Sequence, residues 1–186
     1  MTDPLSVSLA AAVREARQDR ELSAGTLAER SGVSRAMIGK IERGEAQPTA
    51  VLLSRLAAAL GLSLSELVAR AEGDDDRRLA RREDQATWQD PVTGYVRRAV
   101  SPPGRGATEL VEVDLPPGAK AGFPAVSYDF ADHQIWVLSG QLRFHEGEVV
   151  HELAEGDCLQ LGRPVDCAYE NPGTQPCRYL VVLTKR

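Results

Sequence analysis

LSAGTLAERSGVSRAMIGKIERGEAQP, from Leu22 to Pro48, carries the local signals of two short helices joined by a tight turn. Ser23 can cap the first helix, and Leu22 with Leu27 at the N4 position forms a hydrophobic staple. Ser34 can cap the second, where Val33 and Ile38 repeat the staple spacing. Between them Gly32 can take a positive φ without steric cost, which a tight helix–helix turn requires. In the second helix Ile38 and Ile41, flanked by Met37, make an apolar face, while Arg35, Ala36, Gly39, Lys40 and Arg43 lie mainly opposite. An outward face of cations and very small residues lets the helix backbone lie deep in a groove. Gly39 sharpens the point, because a mid-helix glycine costs about 1 kcal/mol relative to alanine.

The stretch LAERSGVSRAMIGKIERGEAQP (Leu27–Pro48), continued by LLSRLAAALGLSLSELV (Leu52–Val68), resembles the helix-turn-helix of the lambda-repressor-like XRE regulators. The resemblance implies that the Ser34–Arg43 helix enters the major groove of a double-stranded DNA operator, with Arg35, Ala36, Gly39 and Lys40 nearest the bases. Ser23, Ser34 and Arg43 complete the expected DNA-binding set. One position departs from the family: the preceding helix often begins with a DNA-contacting Gln, and here Ala24 stands there. The alternative is an ordinary helical hairpin within some other all-α domain.

Charge bounds how such a surface can work. The 186 residues carry a net charge of −5, which argues against coating nucleic acid with the whole molecule. Residues 1–72 are balanced, nine bases against nine acids, and the remainder holds thirteen against eighteen. DNA affinity must therefore come from a local arrangement of charge in the first part. No apolar run is long enough to span a bilayer and the N-terminus has no secretory core, so no membrane partner is expected. Cys158, Cys167 and Cys177 are odd in number and lack CxxC spacing, which favours reduced thiols and a cytoplasmic location.

Upstream of the opening stretch, Leu9, Ala12, Val13 and Ala16 recur at helical spacing within a first helix over Ser6–Arg20. Downstream, Pro48-Thr49 opens a fourth helix that Gly61 stops, and Ser63–Glu66 is a capping box for a fifth that fades near Ala71. These five helices predict a compact all-α domain over residues 1–71. Residues 72–86 are then almost all charge. They read as a solvated linker, with a rigid helical connector and a basic arm (Arg77, Arg78, Arg81, Arg82) as rivals.

From Thr87 the pattern becomes β. Tyr95–Val100, Glu109–Leu115, Gln134–Leu138, Gln141–His145, Val149–Leu153, Asp157–Leu161 and Tyr179–Leu183 read as short strands between Gly- and Pro-rich turns. This spacing predicts an antiparallel sandwich or barrel over residues 87–186. Three phrases in it, LPPGAKAG at Leu115, IWVLSGQLRF at Ile135 and AEGDCLQLGRPVDCAYENPG at Ala154, resemble the two cupin motifs. The resemblance implies a small all-β jelly-roll barrel with an internal pocket. Metal-binding cupins place two His and a Glu in the first motif and a His in the second. Those positions are occupied here by Ser127, Asp129, His133 and Cys167, and none keeps the expected residue.

Asp129, His133 and Cys167 are acceptable donors to zinc, whereas the iron or manganese sites of oxygen chemistry want imidazole and carboxylate with open positions. The expectation is no resident cofactor, with zinc through these three residues as the exception. Ser127, Asp129, His133, Trp136 and Cys167 are the expected effector pocket, and Tyr128 with them suits a polar or cationic ligand. His145 and His151 flank the Glu146-Gly147 turn and are expected to be exposed. The sequence therefore reads as a dimeric, non-enzymatic DNA-binding regulator whose barrel binds a small-molecule effector. Its alternatives are a metal-dependent cupin enzyme with an appended DNA-binding domain, and an effector-free barrel that serves only dimerisation.

Overall fold

The computed structural model of the chain describes residues 4–72, 78–102, 107–127 and 131–185. It separates into two compact units that divide between Asp75 and Asp76. Five helices build the first: α1 (Pro4–Gln18), α2 (Ala24–Ser31), α3 (Arg35–Glu42), α4 (Ala50–Ala59) and α5 (Leu64–Glu72). Their starts are set by side-chain caps. Ser23 Oγ accepts from Thr26 N, Ser34 Oγ from Met37 N, and Thr49 Oγ1 from Leu52 N. Ser63 and Glu66 form the reciprocal capping box, at 2.8 and 2.7 Å. Gly32 ends α2 in the left-handed region, φ 65°, and donates its N–H to Ala28 O.

Each helix turns one apolar stripe inward. Leu9, Val13 and Ala16 of α1, Leu27 of α2, Ile38 and Ile41 of α3, Leu53 and Leu56 of α4, and Leu67 of α5 are all buried. A mostly buried ion pair reinforces this packing. Arg17 on α1 grips Glu42 at the end of α3 with two hydrogen bonds, 2.7 and 2.9 Å, and donates a third to Leu22 O. The Glu42 carboxylate holds the Arg17 pKa above its ordinary value. No described helix is long and apolar enough to cross a membrane.

Between α5 and β1, the described residues contain only a single 3₁₀ turn at Arg82–Asp84, so they give no support to a rigid helical connector there. The second unit is a two-sheet β structure. Its strands are β1 (Thr87–Gln89), β2 (Val96–Ala99), β3 (Thr108–Leu115), β4 (Lys120–Phe123), β5 (Ala131–Ser139), β6 (Gln141–Glu146), β7 (Val149–Ala154), β8 (Cys158–Gln160), β9 (Cys167–Glu170) and β10 (Cys177–Lys185). One sheet has the order β1-β2-β3-β10-β5-β8 and the other β4-β9-β6-β7, and every pairing is antiparallel. This is the antiparallel two-sheet arrangement that the strand pattern predicts, and the jelly roll that the cupin resemblance implies.

Three strands, β1, β4 and β9, are absent from the sequence-based expectation. They are only three or four residues long and include Lys, Gly and Ala, which have low strand preference. They form because their partners supply the ladder and the core supplies the burial. Trp88, Ala121, Cys167 and Tyr169 all turn inward from them. Gly140, between β5 and β6, has φ 83°, and a Cβ there would lie 2.9 Å from Pro176 O, so both conformation and space demand glycine.

The interior is built around rings. Tyr169 of one sheet stacks on Tyr179 of the other, centroids 5.4 Å apart and 5° from parallel, with Phe144 at 4.8 Å and Phe123 at 5.8 Å. Burial drives the Tyr179 hydroxyl pKa well above its ordinary value. The buried amide of Asn171 closes one end, donating to Leu115 O and Gln175 O at 2.9 Å.

Candidate nucleic-acid interface

On α3 the cap and the apolar stripe together dictate which residues face water. With Ile38 and Ile41 buried, Ser34, Arg35, Ala36, Lys40 and Arg43 are exposed and Gly39 is half-exposed. At about 100° per residue, positions 35, 39, 43, 36 and 40 fall in that order over a continuous arc of roughly 140°. The arc is therefore cationic at its two borders, small at Gly39 and Ala36, and carries Arg43 between them. Ser23, at the start of α2, is exposed too, but its hydroxyl is committed to the Thr26 backbone and side chain.

Arg35 and Lys40 form no ion pair among the described residues, whereas Arg43 does. Its guanidinium holds Glu45 through two hydrogen bonds of 2.7 and 2.8 Å in the open. That contact raises the Arg43 pKa and lowers that of Glu45. The arginine also folds back over the bare Cα of Gly39, where a Cβ would approach its Nη1 to 3.0 Å. That guanidinium is exposed and can shift aside, so the contact does not by itself demand glycine there. An intramolecular acid thus occupies the guanidinium that the sequence assigns to DNA. Replacing Glu45 with Gln should release it, raise affinity for duplexes of any sequence severalfold, and steepen the log–log salt dependence by about one phosphate equivalent. Titration of the variant at several salt concentrations reads both effects.

An open cleft of about 550 Å3, unannounced by any local pattern, lies beside the end of α3. Arg14, Glu15 and Gln18 of α1 line it together with Glu42, Arg43 and Gly44. It brings Arg14 next to the α3 terminus, a proximity that needs the α1–α3 packing and leaves no local signal.

In the barrel the expected pocket residues separate. His133 and Cys167 are buried on the inner faces of β5 and β9, in opposite sheets. His133 Nδ1 lies 3.1 Å from Ala131 O. Ser127 ends a 3₁₀ turn, and its Oγ is buried without a hydrogen-bond partner among the described residues. Asp129 and Tyr128 lie outside the described residues. Trp136 corrects the expectation: it faces outward, because β5 alternates and His133, Ile135 and Val137 take the inward positions. Residues 133 and 136 have opposite parity and cannot both line the interior.

The donor set departs from that of metal-binding cupins at every position, and one member, Asp129, lies outside the described residues. Ser127 is a poor metal ligand at neutral pH, and among the described residues no three His, Cys, Asp or Glu side chains converge as a metal site would need. His145 and His151 are also corrected, being half-buried and paired rather than solvated. His145 Nε2 lies 2.7 Å from Glu170 and His151 Nε2 3.1 Å from Glu146. Hydrogen bonds from His145 and Lys120 lower the Glu170 pKa to about 2. Sequence reading also missed Arg97, a buried guanidinium on the inner face of β2, whose pKa burial lowers. Its alternation with Tyr95 and Ala99 was the available signal.

These two units are a helix-turn-helix module and a cupin barrel. Residues 13–67 match the helix-turn-helix family HTH_3, and residues 111–183 match the cupin domain family Cupin_2. The chain thus joins an XRE-type helix-turn-helix domain to a cupin domain. It is 40% identical over 60 residues to the HTH-type transcriptional regulator SutR of Escherichia coli (strain K12), a match covering 32% of this chain and 34% of that one. An uncharacterized HTH-type transcriptional regulator of Mycobacterium tuberculosis (strain CDC 1551 / Oshkosh) is 42% identical over 59 residues, covering 32% and 42%. The chain therefore spans well under half the length of these curated relatives. A crystal structure of an HTH_3 family transcriptional regulator from Vibrio cholerae superposes with a TM-score of 0.80 over 99% of both chains at 22% identity, a likeness of fold.

Proposed function

We propose that this chain is a sequence-specific DNA-binding transcriptional regulator, acting in the cytoplasm as a homodimer whose cupin barrel binds a small polar effector without transforming it. The observation that carries the reading is the exposed arc of α3, where Arg35, Lys40 and Arg43 surround Ala36 and Gly39 on a helix anchored by two buried isoleucines. The names of the relatives matched over the helix-turn-helix support it. A single short helix contacts too little DNA for strong specificity, so two copies on half-sites about 10 base pairs apart are expected. Three free cysteines are in keeping with a reducing compartment.

The barrel reading rests on polar side chains buried in the second unit, which come from different elements. His133, Cys167 and the Ser127 hydroxyl offer hydrogen bonds inside an apolar wall, which holds a ligand but does not make a catalytic metal centre. An effector would then act by preferring one of two states of the protein, with a coupling of typically ~1–3 kcal/mol. The stacked Tyr169 and Tyr179 rings favour a second reading, a filled barrel serving only association. Selection of the full chain against a random duplex pool, followed by footprinting, tests the DNA reading. Two protected half-sites are expected, and equal affinity for all sequences would overturn it. A metabolite screen by thermal shift, with elemental analysis and an oxygen-consumption assay, tests the barrel. A saturable hit without turnover is expected, and stoichiometric iron with turnover would overturn it.

A further inference from the structure

The outward face of the six-stranded sheet carries side chains that water-facing sheets seldom display together. Trp136 is 47% exposed at its centre. Its register partners are Leu180 on β10 and Cys158 on β8. Half-exposed Val182 and Leu110 extend the patch toward β3, and Leu138 continues it along β5. Cys158 is the one exposed thiol of the three cysteines, the other two being buried. Soluble surfaces avoid an exposed tryptophan and a free thiol alike, and interface centres favour tryptophan.

Beside the apolar strip lies a charged group of balanced sign. Arg98 pairs with Glu112, and Arg178 holds Asp114 at 2.7 Å and approaches Glu112 at 3.7 Å. Two cations and two anions on one face are self-complementary, because a two-fold operation can set each copy's cations against the other's anions. The footprint is adequate as well. β5 and β10 each run nine residues. With β2, β3 and β8 at four, eight and three residues, ~3.3 Å per residue and ~4.8 Å between strands give a flat face of roughly 500 Å2, which projecting side chains enlarge toward the ~800 Å2 of accessible surface that each partner of a stable dimer buries.

We propose that two copies of this chain associate through this face, with Trp136 at the centre and the Arg98–Glu112–Arg178–Asp114 group at the rim. The inference rests on the homodimer reading above and gives it a surface. It also accounts for the outward parity of Trp136, which serves association and not the barrel interior.

Sedimentation equilibrium of the full chain tests it, comparing wild type with Trp136→Glu and with Val150→Glu, a control on the outer face of the other sheet. Circular dichroism and thermal melts report whether each variant folds. Wild type should be dimeric, Trp136→Glu should weaken the dimer by about thirtyfold or more, and Val150→Glu should leave it unchanged. Alkylation of Cys158 by iodoacetamide, which needs no substitution, should be slow in the dimer and accelerate on dilution. A Trp136→Glu variant as dimeric as wild type, or Cys158 alkylated at the rate of a free thiol in concentrated dimer, would overturn the face while leaving the dimer standing. A wild-type chain that stays monomeric at high concentration would overturn the dimer itself.

Discussion

Replacing Glu42 with alanine should destabilise the helical unit by about 3 kcal/mol, the low end of the range for breaking a buried ion pair. The Arg17 and Glu42 side chains are only 16% and 11% exposed, so removing the carboxylate strands a guanidinium between α1 and α3 that water reaches poorly. Arg17 keeps its bond to Leu22 O, which is why the loss stays at the low end. In a unit of this size ~1 kcal/mol moves the midpoint by roughly 4–8 °C, so the helical transition should shift well beyond 10 °C. The paired replacement Arg17→Met with Glu42→Leu should recover much of the loss, since apolar side chains of similar volume remove the desolvation cost with the charge. Urea denaturation followed by helical ellipticity checks both. A Glu42→Ala protein as stable as wild type would mean that apolar packing alone sets α3 against α1.

That ion pair marks the boundary of what the sequence could convey. The helical unit was legible because its determinants are local. Ser23, Ser34, Thr49 and Ser63 cap helices whose N–H groups lie within three residues of them, and each apolar stripe follows from spacing alone. Arg17 and Glu42 lie twenty-five residues apart, and nothing in either neighbourhood announces the other. The same holds in the barrel. The longer strands declare themselves by alternation, but β4 and β9 exist through their pairing with each other and β6. His145 looked solvated beside a turn because its partner, Glu170, arrives from another strand. Trp136 fell on the wrong face for a simpler reason. Aromatic residues are buried often enough to suggest an interior place, yet strand parity with His133 outranks that preference.

Removing the Arg35 side chain should weaken specific operator binding by about 1–3 kcal/mol, roughly five- to 150-fold, and relax the preference at one base-pair position. Arg35 is the first residue of α3, directly after the Ser34 cap, so its reach is set by the end of the helix that leads into a groove. It is exposed, and no ion pair among the described residues holds it, so Arg35→Ala should leave the melting curve unchanged. Lys40 sits on the opposite border of the exposed arc. As a flexible point charge it suits a phosphate, and Lys40→Ala should weaken binding to all duplexes alike while reducing the salt slope by about one. The two variants therefore separate base reading from backbone contact within one helix. Titrating each against a panel of single-substitution operators at two salt concentrations distinguishes the roles. If both bind every duplex as wild type does, α3 is not the element that reads DNA.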